Sequence, residues 1–470
     1  MLERIESEKN EKGHMNNNPK VSGLMLKLSD YMAHACRHPL PPEVAIRAKL
    51  HLVDTFAAMI SGTRLLPGKK GISYVKSLGG RKEAGVIGTR LVTSTLNAAM
   101  ANGMCAHADE TDDTHPPSIT HPGCSVIPAA LAIAERDKLP GSHVLRAIVL
   151  GYDICARLAL ALKPMPFMRS GHHTCAFGQV FGAAATAGSL LNLNALQTRY
   201  LLSYTAEKAS GLYTMFRDED HIEKSYAMGG MPAQNGLAAA LMIKHGFTGV
   251  EDVFSGQRDF FYTFSPDGEK QELVRGLGKD YEILRAAIKF WPVGGPVQGP
   301  VDVLNRMIRE HSLIAETIQK ISVRIPEQEL ETVNNREMPD ISLQHLMAIM
   351  LLDGKLTFAS SHDMARMKDP KVLAFRKRIE AIGDPSLADK QRRWRGIIRI
   401  ELKDGRTLED QTMAAKGSFE NPLTEQEENE KATDLIGPTL GKKRTAALLC
   451  ALWKFDKLKN VGALRNLYSR

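Results

Sequence analysis

Tryptophan occurs three times in 470 residues, and aromatic side chains together make up only 6%. A β-sandwich draws its core from bulky and aromatic residues, whereas the plentiful alanine and glycine here suit closely packed helices. Cysteine is also sparse. Cys36, Cys105, Cys124, Cys155, Cys175 and Cys450 include no CxxC pair. Their spacing argues against a zinc knuckle or redox dithiol and for buried free thiols in a reducing compartment. Residues 1–20 are polar and lack an apolar signal core, and no apolar run reaches membrane-spanning length. A cytoplasmic protein is expected, with a disordered segment over 1–24. No basic patch interleaved with aromatics is present, which speaks against nucleic acid as a partner. The glycine-rich stretch 76–90 lacks the GxxxxGK[ST] order and reads as a loop. Tandem repeats of fixed period are missing too. Net charge is a modest +8, a bias that suits an acidic small molecule.

Polar chemistry is concentrated instead in HADETDDTHPPSITHPGCSVIPAALAIA, residues 107–134. His107, His115 and His121 stand there with Asp109, Glu110, Asp112 and Asp113, and Glu135 follows. The run then turns at His121-Pro122-Gly123 into a small-residue helix. Burying such groups without partners costs about 2–7 kcal/mol each for polar groups and more for charges. The pattern therefore predicts a polar site at a helix start, suited to acid–base chemistry or to a metal. A metal could draw on His107, Asp112, Asp113, His115 and His121. However, no HxxxH or HExxH spacing occurs, and Pro116-Pro117 interrupts the run.

The length predicts two domains. Apolar periodicity and breakers place helices from near Leu26, over 43–60 with Pro42 in the first turn, and over 126–134, 144–162, 178–190 and 232–245. Beyond residue 285 the pattern changes. Ile321, Val323 and Ile325 alternate, as do Ile398, Ile400 and Leu402 before an Asp404-Gly405 turn. Between them Leu343, Leu346, Met347, Met350 and Leu351 share one helical face. Thr424 and Glu427 form a capping box opening a further helix. The expected fold is mainly α: a helical domain from 25–285 and 415–470, with an α+β lid from 286–414.

Several stretches in order resemble the MmgE/PrpD family: LVDTFAAMISG, DDTHPPSITHPG, GYDICARL, GHHTCAFGQVFGAA, KSYAMGGMPAQNGLAAALMIKHGFTG, KFWP and KGSFENPLTEQE. That family includes 2-methylcitrate dehydratases, cis-aconitate decarboxylases and an iminodisuccinate epimerase. The resemblance implies a large helical domain built from both chain ends, a smaller α+β lid, a homodimer and no cofactor. It also implies a site with Glu110, Asp113, Thr114, His121, His173, Lys224 and Lys289. Relatives place a histidine shortly after the KFWP position. Here the segment is PVGGPVQGP, and Gln298 is the polar residue that could contact substrate in its place. The resemblance thus implies that a lid acid–base group is missing or replaced.

These residues suffice for chemistry at a carbon next to a carboxylate. A histidine near neutral pKa removes the α proton. Lysines stabilise the charge that grows on the carboxylate. A second histidine, or a carboxyl kept protonated, serves the leaving group. The expectation is a cofactor-independent lyase on a small di- or tricarboxylic acid, with dehydration first. Decarboxylation of a cis-aconitate-like acid and epimerisation of an imino or amino dicarboxylate are the alternatives. A non-catalytic helical binding protein is the alternative outside enzymes.

Overall fold

The computed structural model describes residues 21–389 and 394–470. Most of the segment expected to be disordered lies outside the described residues. Helix α1 (Gly23–His34) begins earlier than its apolar residues suggest, because the Ser22 hydroxyl caps it by accepting from Met25 N. α2 (Pro42–Gly62) starts on Pro42, whose missing N–H is harmless in a first turn. α3 (Leu66–Leu78) and α4 (Thr95–Ala106) follow, separated by a hairpin of β1 (Ala84–Gly85) and β2 (Val92–Thr93). The helical core continues with α5 (Gly123–Arg136), α6 (Gly141–Ala161), α7 (Thr174–Leu190), α8 (Ala195–Glu207) and α9 (Met231–Lys244).

α6 and α7 pack closely because small residues face each other. A Cβ on Gly151 would collide with Thr186 Oγ1, and one on Gly182 would come 2.7 Å from Gly151 O. The chain returns to this core through α12 (Glu425–Leu440), which lies along α2, and α13 (Lys442–Trp453). One apolar core thus joins Met25 through Ala286 with Ala432 through Tyr468.

A second core runs from Trp291 to Leu402. Its mixed sheet has the order β4-β3-β5-β6: β3 (Ile318–Pro326), β4 (Ile379–Asp384), β5 (Gly396–Leu402) and β6 (Thr407–Thr412). β3 and β5 are antiparallel with Val323 opposite Ile398, and β5 turns through Asp404-Gly405 into β6. β4 lies parallel to β3, so the intervening chain must cross over. That crossover contains α11 (Leu343–Asp353), whose Leu343, Leu346, Met347 and Met350 are buried. α10 (Gly295–His311) covers the sheet from the glycine- and proline-rich segment, with Val297, Val301, Leu304 and Met307 inward. Phe358 of this crossover leaves the unit: it packs into the helical core, and its N–H donates to Asp434 Oδ2 of α12 at 2.8 Å.

Candidate functional site

The acidic stretch links the end of α4 to the start of α5, and its adjacent carboxylates turn opposite ways. Asp113 faces the helical core. His51 Nδ1 of α2 lies 2.6 Å from its Oδ2, Tyr152 OH of α6 donates to the same oxygen at 2.5 Å, and Gly123 N donates to Oδ1 at 3.0 Å. Asp113 therefore caps α5 and ties it to two other helices. Thr114 has a similar local task. Its hydroxyl donates to Thr120 O, and its backbone exchanges two hydrogen bonds with Ala287, which sets Lys289 two residues on.

Asp112 faces away from that core. Its Oδ2 lies 3.0 Å from His107 Nδ1, and its Oδ1 lies 3.1 Å from His121 Nδ1 and 3.7 Å from Lys289 Nζ. Burial alone would raise the Asp112 carboxyl, but His107, His121 and Lys289 hold it well below the usual carboxylate range. An ionised carboxylate only accepts hydrogen bonds. Each imidazole therefore gives it an Nδ1–H, which leaves Nε2 as the ring nitrogen facing away from Asp112. Burial lowers the His121 pKa despite the opposing charge of Asp112, so its ring is neutral near pH 7. The His121 side chain keeps 15% exposure, while His107 is sealed.

Glu110 forms the next wall. Lys224 Nζ pairs with its carboxylate, and Lys289 Nζ donates to its backbone oxygen at 2.7 Å. Burial opposes ionisation of Glu110, yet the two lysines keep its carboxyl well below the ordinary range. Lys224 arrives on a distorted segment. His221 has a left-handed φ of +58°, a short helix Ile222–Ser225 follows, and Tyr226–Gly230 forms one π turn. π turns of this kind often mark functional sites. This turn rests directly on α4. A Cβ on Gly103 or on Gly229 would strike the other's backbone, so the two segments approach as closely as main chains can. His221 is thereby brought to a ring distance of 5.2 Å from His107. Burial and nearby Lys224 push its pKa down to about 3. Nε2 of His107 and Nε2 of His221 are buried without a hydrogen-bond partner. Together with a Glu110 oxygen, ligand atoms of these residues lie within 4.8 Å of one another.

The crossover that carries Phe358 adds His362. Its Nε2 lies 2.8 Å from Asp109 Oδ2 and 3.8 Å from Asp340 Oδ2. Burial lowers its pKa, but the Asp109 carboxylate beside it wins and raises it to about 9. Asp340 is pushed up to about 6 by burial, and the charges of Glu110 and Lys224 reach it.

Of the residues named from the sequence, Glu110, His121, Lys224 and Lys289 gather around Asp112. Asp113 and Thr114 brace the loop from behind. Gln298 is fully buried in the lid, and both its amide hydrogens go to backbone oxygens, at Trp291 and Val293. That assignment as a substrate contact is corrected by those hydrogen bonds. His173 caps α7, with Nδ1 accepting from Cys175 N, and Phe216 touches both its ring and Lys224. His115 pairs with Glu282 at 3.3 Å, and Glu135 lies elsewhere, on Arg465 and Tyr468. Sequence reasoning missed His221 and His362 and undervalued His107, Asp109 and Asp112. The His107–Asp112 separation was a usable signal. His362 gave none, because it stands alone in a lid segment.

A helical domain and an α+β unit that meet at a cluster of histidines, carboxylates and lysines define a two-domain, mainly helical protein. Residues 26–273 match the MmgE/PrpD N-terminal domain and residues 291–454 the MmgE/PrpD C-terminal domain. The chain belongs to the MmgE/PrpD family. It is 23% identical to a cis-aconitate decarboxylase of Aspergillus terreus, over 95% of this chain and 96% of the relative. It is 24% identical to the cis-aconitate decarboxylase of Homo sapiens, over 91% of each. It is 23% identical to the cis-aconitate decarboxylase-like protein oryM of Aspergillus oryzae, over 92% and 94%. Among the described residues, no helix is long and apolar enough to cross a membrane.

Proposed function

We propose that this chain is a lyase acting on a small di- or tricarboxylic acid, with dehydration as its reaction. The observation that carries this reading is the pair of imidazoles held by Asp112 beside Lys289 and the Lys224–Glu110 pair. In this reading His121 Nε2 takes the proton next to a substrate carboxylate. Lys289 and Lys224 stabilise the charge that develops on that carboxylate. The electron pair then forms the carbon–carbon double bond, and the β-hydroxyl leaves as water after receiving a proton. His362, protonated at neutral pH, is the assigned donor. It takes the place of the lid histidine that relatives carry after KFWP. The enzyme is further proposed to work as a cytoplasmic homodimer.

Decarboxylation is the second reading, favoured by the names of the relatives. It uses the same lysines and proton donor but releases a carboxylate as CO₂ instead of removing an α proton. NMR in D₂O separates the two: dehydration releases water and exchanges the α proton, whereas decarboxylation places solvent deuterium on the carbon that lost CO₂. A panel of citrate-like, aconitate-like and amino-dicarboxylate acids in which none reacts or exchanges would refute the lyase reading.

A further inference from the structure

Two imidazole Nε2 atoms and a carboxylate face one another at the back of this site. His107 commits Nδ1 to the Asp112 carboxylate, so in the neutral ring Nε2 is the acceptor. Glu110 is ionised. His221 Nε2 joins them, and no hydrogen bond connects it to either neighbour. The ligand atoms lie within 4.8 Å of one another, and all three residues are buried. Buried polar atoms are normally satisfied, and the exceptions in a native protein call for an occupant. An occupant that donates hydrogen bonds satisfies the Glu110 carboxylate and the His107 lone pair, and His221 Nε2 accepts from it in the tautomer that carries its proton on Nδ1. His221 is also held at a left-handed φ of +58°, a conformation that costs energy for a residue with a side chain and is retained where the surroundings require it.

We infer that His107, Glu110 and His221 form a donor-reading corner that takes a substrate hydroxyl or ammonium, with His221 as its specificity-determining residue. This rests on the small-acid reading above and names the substrate class: hydroxy- or amino-carboxylates in preference to unsubstituted or unsaturated acids of the same skeleton. Lys224 and Lys289 border the corner through Glu110. They place the substrate carboxylates beside the donor group. The lysines also distinguish the corner from a metal site, because a divalent ion on Glu110 would have to displace Lys224 and sit near Lys289.

The test is isothermal titration of the full-length chain in chelator-treated buffer, with ligand pairs that differ by one group. Citrate is compared with tricarballylate, and malate and aspartate are each compared with succinate. The hydroxyl- or ammonium-bearing member should bind at least about tenfold tighter. Malate and aspartate show which donor the corner prefers. His221→Ala should bring each ratio close to one while leaving succinate affinity within about threefold, and His221→Gln, which keeps an acceptor, should retain part of the ratio. Equal affinities within every pair in the unaltered protein would overturn the inference, as would a His221→Ala loss shared equally by both members. Stoichiometric Co²⁺ binding that His221→Ala abolishes and malate does not compete away would assign the corner to a metal instead. The outcomes remain separable from the lyase reading. Donor selectivity without turnover of any acid sinks the lyase and keeps the corner. Turnover without donor selectivity does the reverse.

Discussion

Asp112 and Asp113 are consecutive, both are fully buried, and both hold a histidine through Nδ1. Their surroundings separate their roles. Asp113 is enclosed by a phenol, a backbone amide and the sealed His51. Asp112 is enclosed by two imidazoles and an ammonium, and one of those imidazoles reaches the surface. The same dyad can thus be sealed inside a fold or held at its edge. Partners and exposure decide which, and residue type does not.

The sharpest way to break this comparison is to alter one side at a time. His121→Asn should lower turnover by about 10²–10⁴-fold, the usual worth of a general base. Its urea midpoint should stay within the scatter of ordinary surface changes. A variant that keeps its rate would remove His121 from the chemistry. Asp113→Ala should do the opposite. It strands His51, Tyr152 OH and Gly123 N in the core, and breaking such a buried arrangement costs about 3 kcal/mol. Equilibrium unfolding in urea measures it. An unchanged midpoint would mean that Asp113 is no brace.

The smaller effects sharpen the role of the lid. The His362 pKa is raised from about 6.5 to about 9 in the folded chain. The stability its ion pair with Asp109 contributes is therefore fully present below pH 6.5 and lost as pH rises through 9. Asp109 itself is shifted down, since its contacts with His362 and Thr111 outweigh burial, so its contribution is lost only in acid. Hydrogen exchange over 357–362 should quicken between pH 8 and 10, and His362→Gln should abolish that dependence. A flat profile in the unaltered chain would refute the clamp. The smallest expected effect is none: chelator treatment should leave turnover unchanged, and loss of activity restored by zinc or manganese would refute that.

Much of the fold was legible because it rests on local rules. Pro42 opens α2, Thr424 and Glu427 cap α12, and the alternating Ile398, Ile400 and Leu402 form β5. What was not legible depends on distant partners or mixed signals. β4 is short and parallel, and its pairing with β3 lies across an entire crossover. α10 carries Gly295, Pro296, Gly299 and Pro300 in its first turns, poor helix formers whose propensity is overridden by burial against the sheet. In the site, Glu110, Lys224 and Lys289 were legible through motif resemblance. His221 and His362 were not, because each becomes meaningful only where folding delivers it: one by a left-handed residue and a π turn, the other by an anchor at Phe358.

The contact between Gly103 and Gly229 has a practical consequence for altering this enzyme. It works as a spacer of fixed width with no side chain to trim or extend, and the segment bearing His221 and Lys224 takes its distance from His107 from it. Any attempt to reshape this cluster has to leave those glycines alone and change the residues hung on either side, since widening the spacer itself would move two groups of the cluster at once.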